Sequence, residues 1–435
     1  TFSFNKFSIF STEIKTAKLI KKKPTRKRRT RKRSNIYDWL LLLLVFLTGS
    51  GGIGGALQMT RIAAIVLLPL LVMKSSRCRY AKQIAIGFAL FYVFCALSLL
   101  WTPDRSEGMK DVLYYAVHII LFFEIIVFAR YAKSPLKSLS TGWMLAVLLC
   151  SCIAYWEFYT GHHLNIAKEQ SDYRNTGVEV LAFRHAHATF HNYNDFAAYL
   201  CFAFPWLFYV MRRVDCGWVR LVGGLVTSIS SVIIIMLNAS RGGLLSIVIM
   251  TGIFIFMSLK GRTRWYTLLI IFLMGGLLFY LYSQAAFEVL ISRSAGGGLL
   301  NDDSRYIIWS NALRAFRDTY GLGTGIGGMY EAMRVYAGNG VLATHNLFLE
   351  IMLQFGLIVV LVFVMFLWRQ FRRSLRAKGN RKMALLMSLI ALPVYSIISS
   401  NYLLNPHLFA LLATIYVFAN YGRIKYSHKA LRTPA

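Results

Sequence analysis

The sequence predicts an all-α polytopic membrane protein of about 12 transmembrane helices, with both termini in the cytoplasm and a large outer loop that contains an interfacial helix. The first reason is composition: 57% of the residues are hydrophobic, 15% are charged and the mean hydropathy is +0.52. About a quarter of the residues in a soluble domain are charged. The second reason is that apolar residues fall in blocks of roughly 15–22, about the length that crosses a bilayer. The third is the distribution of Lys and Arg between those blocks.

Twelve apolar blocks are the predicted spans. They cover residues 36–49, 58–73, 84–101, 112–130, 142–159, 195–211, 217–238, 243–259, 265–282, 346–368, 382–399 and 407–421. The first two are short and flank a glycine-rich connection at residues 49–55. They therefore form either two full spans or one hairpin.

The basic residues predict the orientation, because short loops rich in Lys and Arg stay in the cytoplasm. The two terminal tails and every second connection together hold 37 of the 49 Lys and Arg residues. The alternation holds at every crossing. An odd number of spans would break it, so the pattern also supports twelve spans.

These assignments divide the chain into five parts. They are a basic, disordered cytoplasmic tail (1–35), transmembrane helices 1–9 with an outer loop at 160–194 (36–282), a large outer loop (283–345), transmembrane helices 10–12 (346–421) and a cytoplasmic tail (422–435). Long outer loops need a reason to exist, and function is the common one. Functional residues are therefore expected in the two outer loops.

The N-terminal tail carries 13 basic residues before the first span, and the net charge of the chain is +31. Such charge suggests nucleic acid, but the topology favours a tail held on anionic lipid, at about 1 kcal/mol per nearby charge. We therefore expect no nucleic-acid partner. No short apolar region with a cleavage site follows the basic run, so no signal peptide is expected. The six cysteines map to spans or cytoplasmic connections, so no disulfide framework is expected either.

The larger outer loop holds five arginines, five acids and no lysine. Arginine forms planar, bidentate pairs with phosphate, so these cations suit a pyrophosphate. Each arginine has the alternative of pairing with an acid of the loop. Ser304 is the predicted N-cap of a helix that runs to about Tyr320 and carries Arg305 in its first turn. The helix has one apolar stripe at 3–4 spacing, made of Ile308, Trp309, Ala312, Leu313 and Phe316.

A glycine-rich run at residues 321–328 follows this helix. No strand precedes the run, and the outer compartment lacks nucleotides, so a nucleotide-binding loop is not expected. A tight turn, or a close approach of the chain to a substrate, is favoured instead.

The smaller outer loop contains His185, His187 and His191. Their spacing is not a standard ligand set, and no nearby carboxylate or cysteine pattern completes it, so no metal is expected. Asn192 and Asn194 lead into the next span. Their amides either bind sugar hydroxyls, or the helix is capped through Asn194 or Asp195.

Two further residues stand at the outer ends of spans. Arg241 lies in the short turn between two spans, where a charge so near the hydrocarbon is a functional candidate or an arginine that extends to the headgroups. His345 lies where the large loop becomes a span, and its near-neutral pKa suits a base. A lone histidine at such a position is also often a capping or core residue.

The order of these motifs resembles the O-antigen ligase and O-antigen polymerase superfamily, bacterial membrane glycosyltransferases of the GT-C type. The motifs are Ser240-Arg241-Gly242-Gly243, then Ser304-Arg305 with Trp309 and the glycine run, then His345-Asn346-Leu347-Phe348-Leu349-Glu350. Asn192-Tyr193-Asn194 with Ala197 and Leu200 also fits. The resemblance covers roughly residues 80–421, and the ordered set is more specific than any single motif.

The resemblance implies transfer of a glycan from undecaprenyl pyrophosphate to an acceptor hydroxyl, on the outer face of the bacterial cytoplasmic (inner) membrane. It implies inversion at the anomeric carbon, no metal and no cofactor, and a chain-length regulator as a further partner. A polymerase, which we expect, takes a second lipid-linked repeat unit as acceptor. A ligase, the alternative, takes lipid A–core or another acceptor. A transporter or flippase is the alternative from another class, and the lack of a clear internal repeat counts against it.

The chemistry assigns roles to the candidates. A sugar hydroxyl needs a general base for attack, and His345 can serve. A departing lipid pyrophosphate needs fixed cations, which Arg241 and Arg305 can supply, with Arg184 as a weaker third. The predicted acceptor or sugar-binding residues are Asn192, Asn194, Asn346 and Trp309.

Overall fold

The computed structural model describes residues 35–53, 57–76, 78–164, 185–213, 217–238, 240–259, 302–338 and 343–426, together with parts of 261–276. The basic tail, Arg184 and most of the predicted ninth span lie outside the described residues. The predictions for those segments therefore stay predictions.

The described chain is helical. The helices are α1 (Ile36–Leu47), α2 (Met59–Ser75), α3 (Arg79–Ser98), α4 (Arg105–Tyr131), α5 (Pro135–Thr160), α6 (Tyr193–Met211), α7 (Trp218–Leu237), α8 (Arg241–Ser258), α9 (Asp302–Asp318), α10 (Met329–Ala337), α11 (Leu347–Arg376), α12 (Gly379–Tyr395), α13 (Pro406–Ala419) and α14 (Tyr421–Tyr426). A 3₁₀ turn, Tyr402–Leu404, precedes α13. Two-residue strands, Gly52–Ile53 and Leu57–Gln58, pair antiparallel between α1 and α2. This pair is a small addition to the predicted all-α class.

Five described helices are long and apolar enough to cross a membrane. They are α4, α5, α7, α8 and α11, and shorter apolar helices occur at Ile36–Leu47, Ile84–Ser98 and Pro406–Ala419. Large apolar side chains such as Val66, Ile358 and Leu90 are well exposed on the outside of the bundle. Exposed apolar surface of this extent is typical of a lipid-facing wall. The multi-pass membrane class is confirmed, while the number of twelve spans and the orientation remain predictions.

The centre of the bundle is formed by helices that are apolar on every side. α13 packs against α4 and α11, and nearly all of its residues are buried. α6 packs against α5, α7 and α12 and is buried almost as completely. A helix that is hydrophobic all round belongs in such a core. The two core helices begin at the same end of the bundle as α8, α11 and the end of α12, and that end holds the candidate site.

The glycine run packs against a kink in α11. Gly356 inside α11 has φ +80°, and the carbonyl oxygens next to this kink accept hydrogen bonds from the run. Thr324 N donates to Leu353 O at 2.7 Å, and Gly325 N donates to Gln354 O at 3.0 Å. A Cβ atom on Gly323 would lie 2.6 Å from Gln354 O. The glycine run thus makes a close approach to α11, and the expected approach to a substrate stays a prediction.

The amphipathic helix of the larger loop lies on the bundle. Its apolar face joins α10 and α11 in a small core made of Ile308, Ala312, Ala315, Met329, Met333 and Leu353. The predicted stripe is largely right, although Leu313 is 51% exposed and lies outside this core. α9 begins at Asp302 rather than directly after Ser304, so Ser304 is within the helix and the predicted N-cap position is wrong. Helix starts are weakly determined by sequence because several polar residues compete for the cap.

Candidate functional site

Residues 396–401, the segment that follows α12, join the helix ends that carry the predicted site residues. Ser396 O accepts a hydrogen bond from Leu347 N, the first residue of α11, at 3.0 Å. Ile397 O accepts one from Arg305 Nη1 at 2.8 Å. Residues 345–347 and Arg305 are therefore held by consecutive carbonyl groups. We call residues 396–401 the connector segment.

The next two residues of the connector segment hold the starts of α8 and α6. A Cβ atom on Gly242 would lie 3.0 Å from Ile398 Cγ1, so the start of α8 packs directly on this side chain. The Ser399 hydroxyl donates a hydrogen bond to the carboxylate of Asp195, in the first turn of α6. The start of α6, the start of α8, Arg305 and the start of α11 lie far apart in sequence and thus meet at one short segment.

His345 lies half-buried immediately before α11. Its backbone has φ +47°, a left-handed conformation that is uncommon outside glycine. Its Nδ1 atom is buried and has no hydrogen-bond partner among the described residues. Burial lowers the pKa of His345 below its usual value of 6.5, and the nearby charge of Arg305 lowers it further. The ring is therefore neutral at neutral pH, with a nitrogen available as a base.

The loop before His345 is fixed to α9. Trp309 Nε1 donates to Thr344 O at 3.1 Å, one turn along α9 from Arg305. Arg305 itself is anchored by Ile397 O. Because both contacts come from one face of α9, the segment before His345 and the Arg305 side chain are positioned by the same helix.

Arg241 is the first residue of α8, and its side chain is exposed. Ser240 caps this helix, since its side chain accepts from Gly243 N at 3.4 Å. The positive charge of an arginine at a helix N-terminus is repelled by the positive end of the helix macrodipole. The cap is made by the Ser240 side chain and does not use the charge of Arg241.

The predicted sugar-binding amides have structural partners. Asn192 caps α6, accepting from Asp195 N at 2.8 Å, and its amide nitrogen donates to Asp195 Oδ2 at 3.0 Å. Asn346 caps α11, accepting from Phe348 N at 2.9 Å. A cap was thus correctly expected at the start of α6, but it is Asn192 rather than Asn194 or Asp195, and Asn346 is also a cap. Asn194 lies in the first turn of α6, half-buried.

Glu350 holds the turn next to the connector segment, a role that was not expected from the sequence. Its two carboxylate oxygens accept from Tyr402 N and Leu403 N, each at 3.0 Å, and the side chain is 1% exposed. It thus caps the 3₁₀ turn that follows the connector segment. An acid inside a predicted span was the available signal, because such a group must be paired.

Tyr330 and Asn401 tie α10 to the connector segment. The Tyr330 hydroxyl donates to Asn401 Oδ1 at 2.9 Å, and Asn401 Nδ2 lies 2.6 Å from the same hydroxyl. Burial raises the pKa of Tyr330 to about 12, so its phenol stays protonated at neutral pH. Sequence gave no sign of this contact, because the two residues lie in separate segments with no shared pattern.

The histidine-rich loop is held by a buried carboxylate. Glu157 Oε2 accepts from His187 N at 2.9 Å and Ala188 N at 2.8 Å, and Glu157 Oε1 lies 3.1 Å from His163 Nδ1. Asn238 fixes the same loop to the end of α7 through both groups of Ala186. The loop therefore lies against the turn that precedes Arg241.

Glu157, His163 and His187 place three ligand atoms within 4.8 Å of one another. The two rings stack at 4.3 Å with 23° between their planes. A metal bonds in the plane of each imidazole, so a nearly parallel stack suits hydrogen bonding better than joint coordination. Of the three histidines in the predicted loop, His187 alone belongs to this group within the described residues.

Fold and site together define a multi-pass helical membrane protein with a polar site at one end of its bundle. A family model described as O-antigen ligase matches residues 226–364, which include Arg241, Arg305 and His345. The chain is also 25% identical over 334 residues to the teichuronic acid biosynthesis protein TuaE of Bacillus subtilis (strain 168), which covers 73% of this chain and 67% of that protein. The resemblance found in the sequence is confirmed over residues 226–364, which the O-antigen ligase model matches.

Proposed function

We propose that this protein transfers a glycan from undecaprenyl pyrophosphate to an acceptor hydroxyl, at the outer face of the bacterial cytoplasmic membrane. The similarity to an O-antigen ligase domain and to a teichuronic acid biosynthesis protein supports a membrane enzyme of the polysaccharide ligase or polymerase type. The observation that carries the proposal is the neutral, unpartnered ring nitrogen of His345 beside Arg305.

In this proposal His345 is the general base. The acceptor hydroxyl must lose its proton as its oxygen attacks the anomeric carbon, and a neutral imidazole accepts that proton. Burial, together with the nearby positive charge of Arg305, keeps the ring unprotonated before the substrate arrives. Binding of the negative pyrophosphate offsets that charge, so the ring becomes a stronger base only when the donor is bound. The left-handed backbone of His345 supports a functional constraint at this position.

Arg305 and Arg241 bind the pyrophosphate. Negative charge grows on the leaving pyrophosphate as the glycosidic bond breaks, and fixed guanidinium groups stabilise it. Arg305 has five N–H donors, of which the hydrogen bond to Ile397 O uses one. Arg241 stands at the start of α8, which packs on the neighbouring Ile398. Attack by the acceptor on the face opposite the pyrophosphate would invert the anomeric carbon.

The lipid part of the donor has a place in the bundle. An apolar cavity of about 570 Å³ is bounded at the site end by Ile351 and Leu403, which lie next to Glu350 and the connector segment. A prenyl chain is apolar throughout, so burial in such a cavity is favourable. This supports a lipid-linked donor over a soluble one.

The acceptor decides between two candidates. We favour a repeat-unit polymerase, and the printed description of the matched family, O-antigen ligase, supports the alternative of transfer to lipid A–core or another acceptor. The test supplies purified protein with lipid-linked repeat units alone. Longer chains support the polymerase, and product that forms only after another acceptor is added supports the ligase. Movement of lipid-linked glycan across a vesicle bilayer without new glycosidic bonds would overturn both in favour of a flippase.

A further inference from the structure

An arginine-lined cleft lies at the end of α11 opposite to His345. Arg373, Arg376, Arg381 and Arg423 line this space of about 200 Å³, where the end of α11, the start of α12 and the start of α14 meet. The remaining lining residues are Ala377, Ala419, Asn420 and Gly422, none of which is acidic. α11 rises about 1.5 Å per residue, so the cleft is about 40 Å from His345 along the helix. It is therefore separate from the proposed transfer site.

The cleft has the chemistry of a phosphate site. Four guanidinium groups around one space repel each other, and an anion between them removes that repulsion. Arginine binds phosphate through paired N–H donors, which a lysine cluster does not do. Arg381 is also held over the ring of Tyr421, with its Cζ 5.8 Å from the ring centroid. The cleft is thus partly ordered by its own aromatic contact.

The same cleft opens onto the apolar cavity. Arg373 lines both spaces, and Arg369 and Gln370 lie beside it at the charged end of the cavity. From there the cavity is walled by aromatic and aliphatic side chains of α3, α11 and α13, including Phe88, Phe363, Phe366, Leu412 and Tyr416. A hydrogen bond of 3.0 Å from Asn420 Nδ2 to Gln370 Oε1 fixes the junction of α11 with the end of α13.

We propose that the cleft and the adjoining end of the cavity form a binding site for an anionic phospholipid. The phosphate lies among the four arginines, and an acyl chain enters the cavity past Arg373. One leaflet of hydrocarbon is about 15 Å deep, so the acyl chain occupies the arginine end and leaves the end at Ile351 for another lipid. A basic pocket between transmembrane helices, on the side where basic residues collect, suits an anionic headgroup. The positive choline of a zwitterionic lipid is repelled there.

The test measures lipid binding to the purified full-length protein in detergent, by native mass spectrometry and by thermal stability. We expect dioleoyl phosphatidylglycerol to bind at least about ten-fold more tightly than dioleoyl phosphatidylcholine. The double variant Arg373→Gln, Arg376→Gln should lose that difference. Its control, Arg314→Gln with Arg317→Gln, removes two exposed arginines from α9 and should keep it. Equal binding of the two lipids to the wild type, or no loss in the double variant, would overturn the proposal.

A second variant tests whether the acyl chain of the lipid binds in the cavity. Gly87 lines the cavity, and a Cβ atom there would meet nothing within 4 Å, so Gly87→Trp adds bulk to the cavity wall from an unobstructed Cβ. It should weaken phosphatidylglycerol binding and leave the effect of inorganic phosphate unchanged. Inorganic phosphate that stabilises the wild type as much as phosphatidylglycerol does would show an anion site without a lipid chain and overturn the assignment. None of these measurements depends on glycan transfer.

Discussion

Arg305 donates a hydrogen bond from Nη1 to the carbonyl oxygen of Ile397 at 2.8 Å, and this contact joins α9 to the end of α12. The contact thus connects the large loop to the helical bundle. Leu347, the first residue of α11, donates a hydrogen bond to the preceding carbonyl group, that of Ser396. The position of the arginine relative to His345 is therefore set by two neighbouring carbonyl groups. Five predictions follow from this arrangement and from the contacts around it.

His345→Asn should lower transfer activity by about 10²–10⁴-fold, because the amide cannot accept the proton. Asparagine tolerates the left-handed backbone that His345 adopts at φ +47°, so the fold should survive. The measurement is transfer from lipid-linked donor, with thermal stability as the check on folding. His162→Asn, at an exposed histidine, is the matched control and should keep full activity. Near wild-type activity in His345→Asn would rule out the base.

Arg305→Lys should also lower kcat/KM for the donor, by at least about ten-fold. Lysine keeps the charge but lacks the planar fork that binds phosphate while holding Ile397 O. Arg317→Lys makes the same change at an exposed position of α9, whose side chain is 81% exposed, and should be silent. Full activity in Arg305→Lys would show that a point charge is sufficient and that the guanidinium geometry is irrelevant.

The pH dependence of kcat/KM should change when the charge of Arg305 is removed. Burial and the charge of Arg305 lower the pKa of His345 below its usual value of 6.5. The fall of kcat/KM on the acid side of the pH profile should therefore lie at a pH below 6.5. Arg305→Gln removes the charge, raises the pKa and should move this fall to higher pH. Arg305→Lys keeps the charge and should leave the fall in place. If the acid sides of the two pH profiles coincide when the residual activity of the Gln and Lys variants is measured, the charge of Arg305 does not set the pKa of His345.

Gly323→Ala should destabilise the protein more than Gly338→Ala. Both glycines have positive φ, +87° and +56°, so both substitutions carry backbone strain. A Cβ atom at Gly323 would lie 2.6 Å from Gln354 O, whereas one at Gly338 meets nothing within 4 Å. The excess should be about 1–3 kcal/mol, the usual cost of forced overpacking. Melting temperatures in detergent measure it, and equal losses would mean that the glycine run can move away from α11.

Glu350→Gln should cost about 1–3 kcal/mol, because an amide group replaces one of the oxygens that accept from Tyr402 N and Leu403 N. Transfer activity should fall with stability, since the 3₁₀ turn adjoins the connector segment. Glu331→Gln changes an exposed acid paired with Arg334 at 2.8 Å and should stay within about 0.5 kcal/mol. A stable, active Glu350→Gln would show that the turn folds without the carboxylate.

Much of the architecture could be predicted because the bilayer restricts the chain so strongly. Apolar blocks of spanning length became helices throughout the described part, and the stripe on α9 placed this helix against the bundle. Arg241 and His345 were found because polar groups at the ends of spans are rare, and Arg305 because it lies in the first turn of the predicted loop helix. Glu350 gave the same signal, but its spacing from His345 did not reveal that its partners lie more than 50 residues further along the chain.

The sequence by itself determined the membrane class, the helix positions and the three residues with proposed chemistry, since hydropathy and charge are local properties that the bilayer reads directly. Only the tertiary structure decided which of those residues meet. The connector segment has no charged residue and no motif, yet its backbone carbonyl groups hold Arg305 and the start of α11. Backbone groups are the same at every position of a sequence, so their partners are fixed only by packing. The same packing placed the glycine run against the kink in α11, whereas Asn192 and Asn346 cap their helices through hydrogen bonds within their own segments.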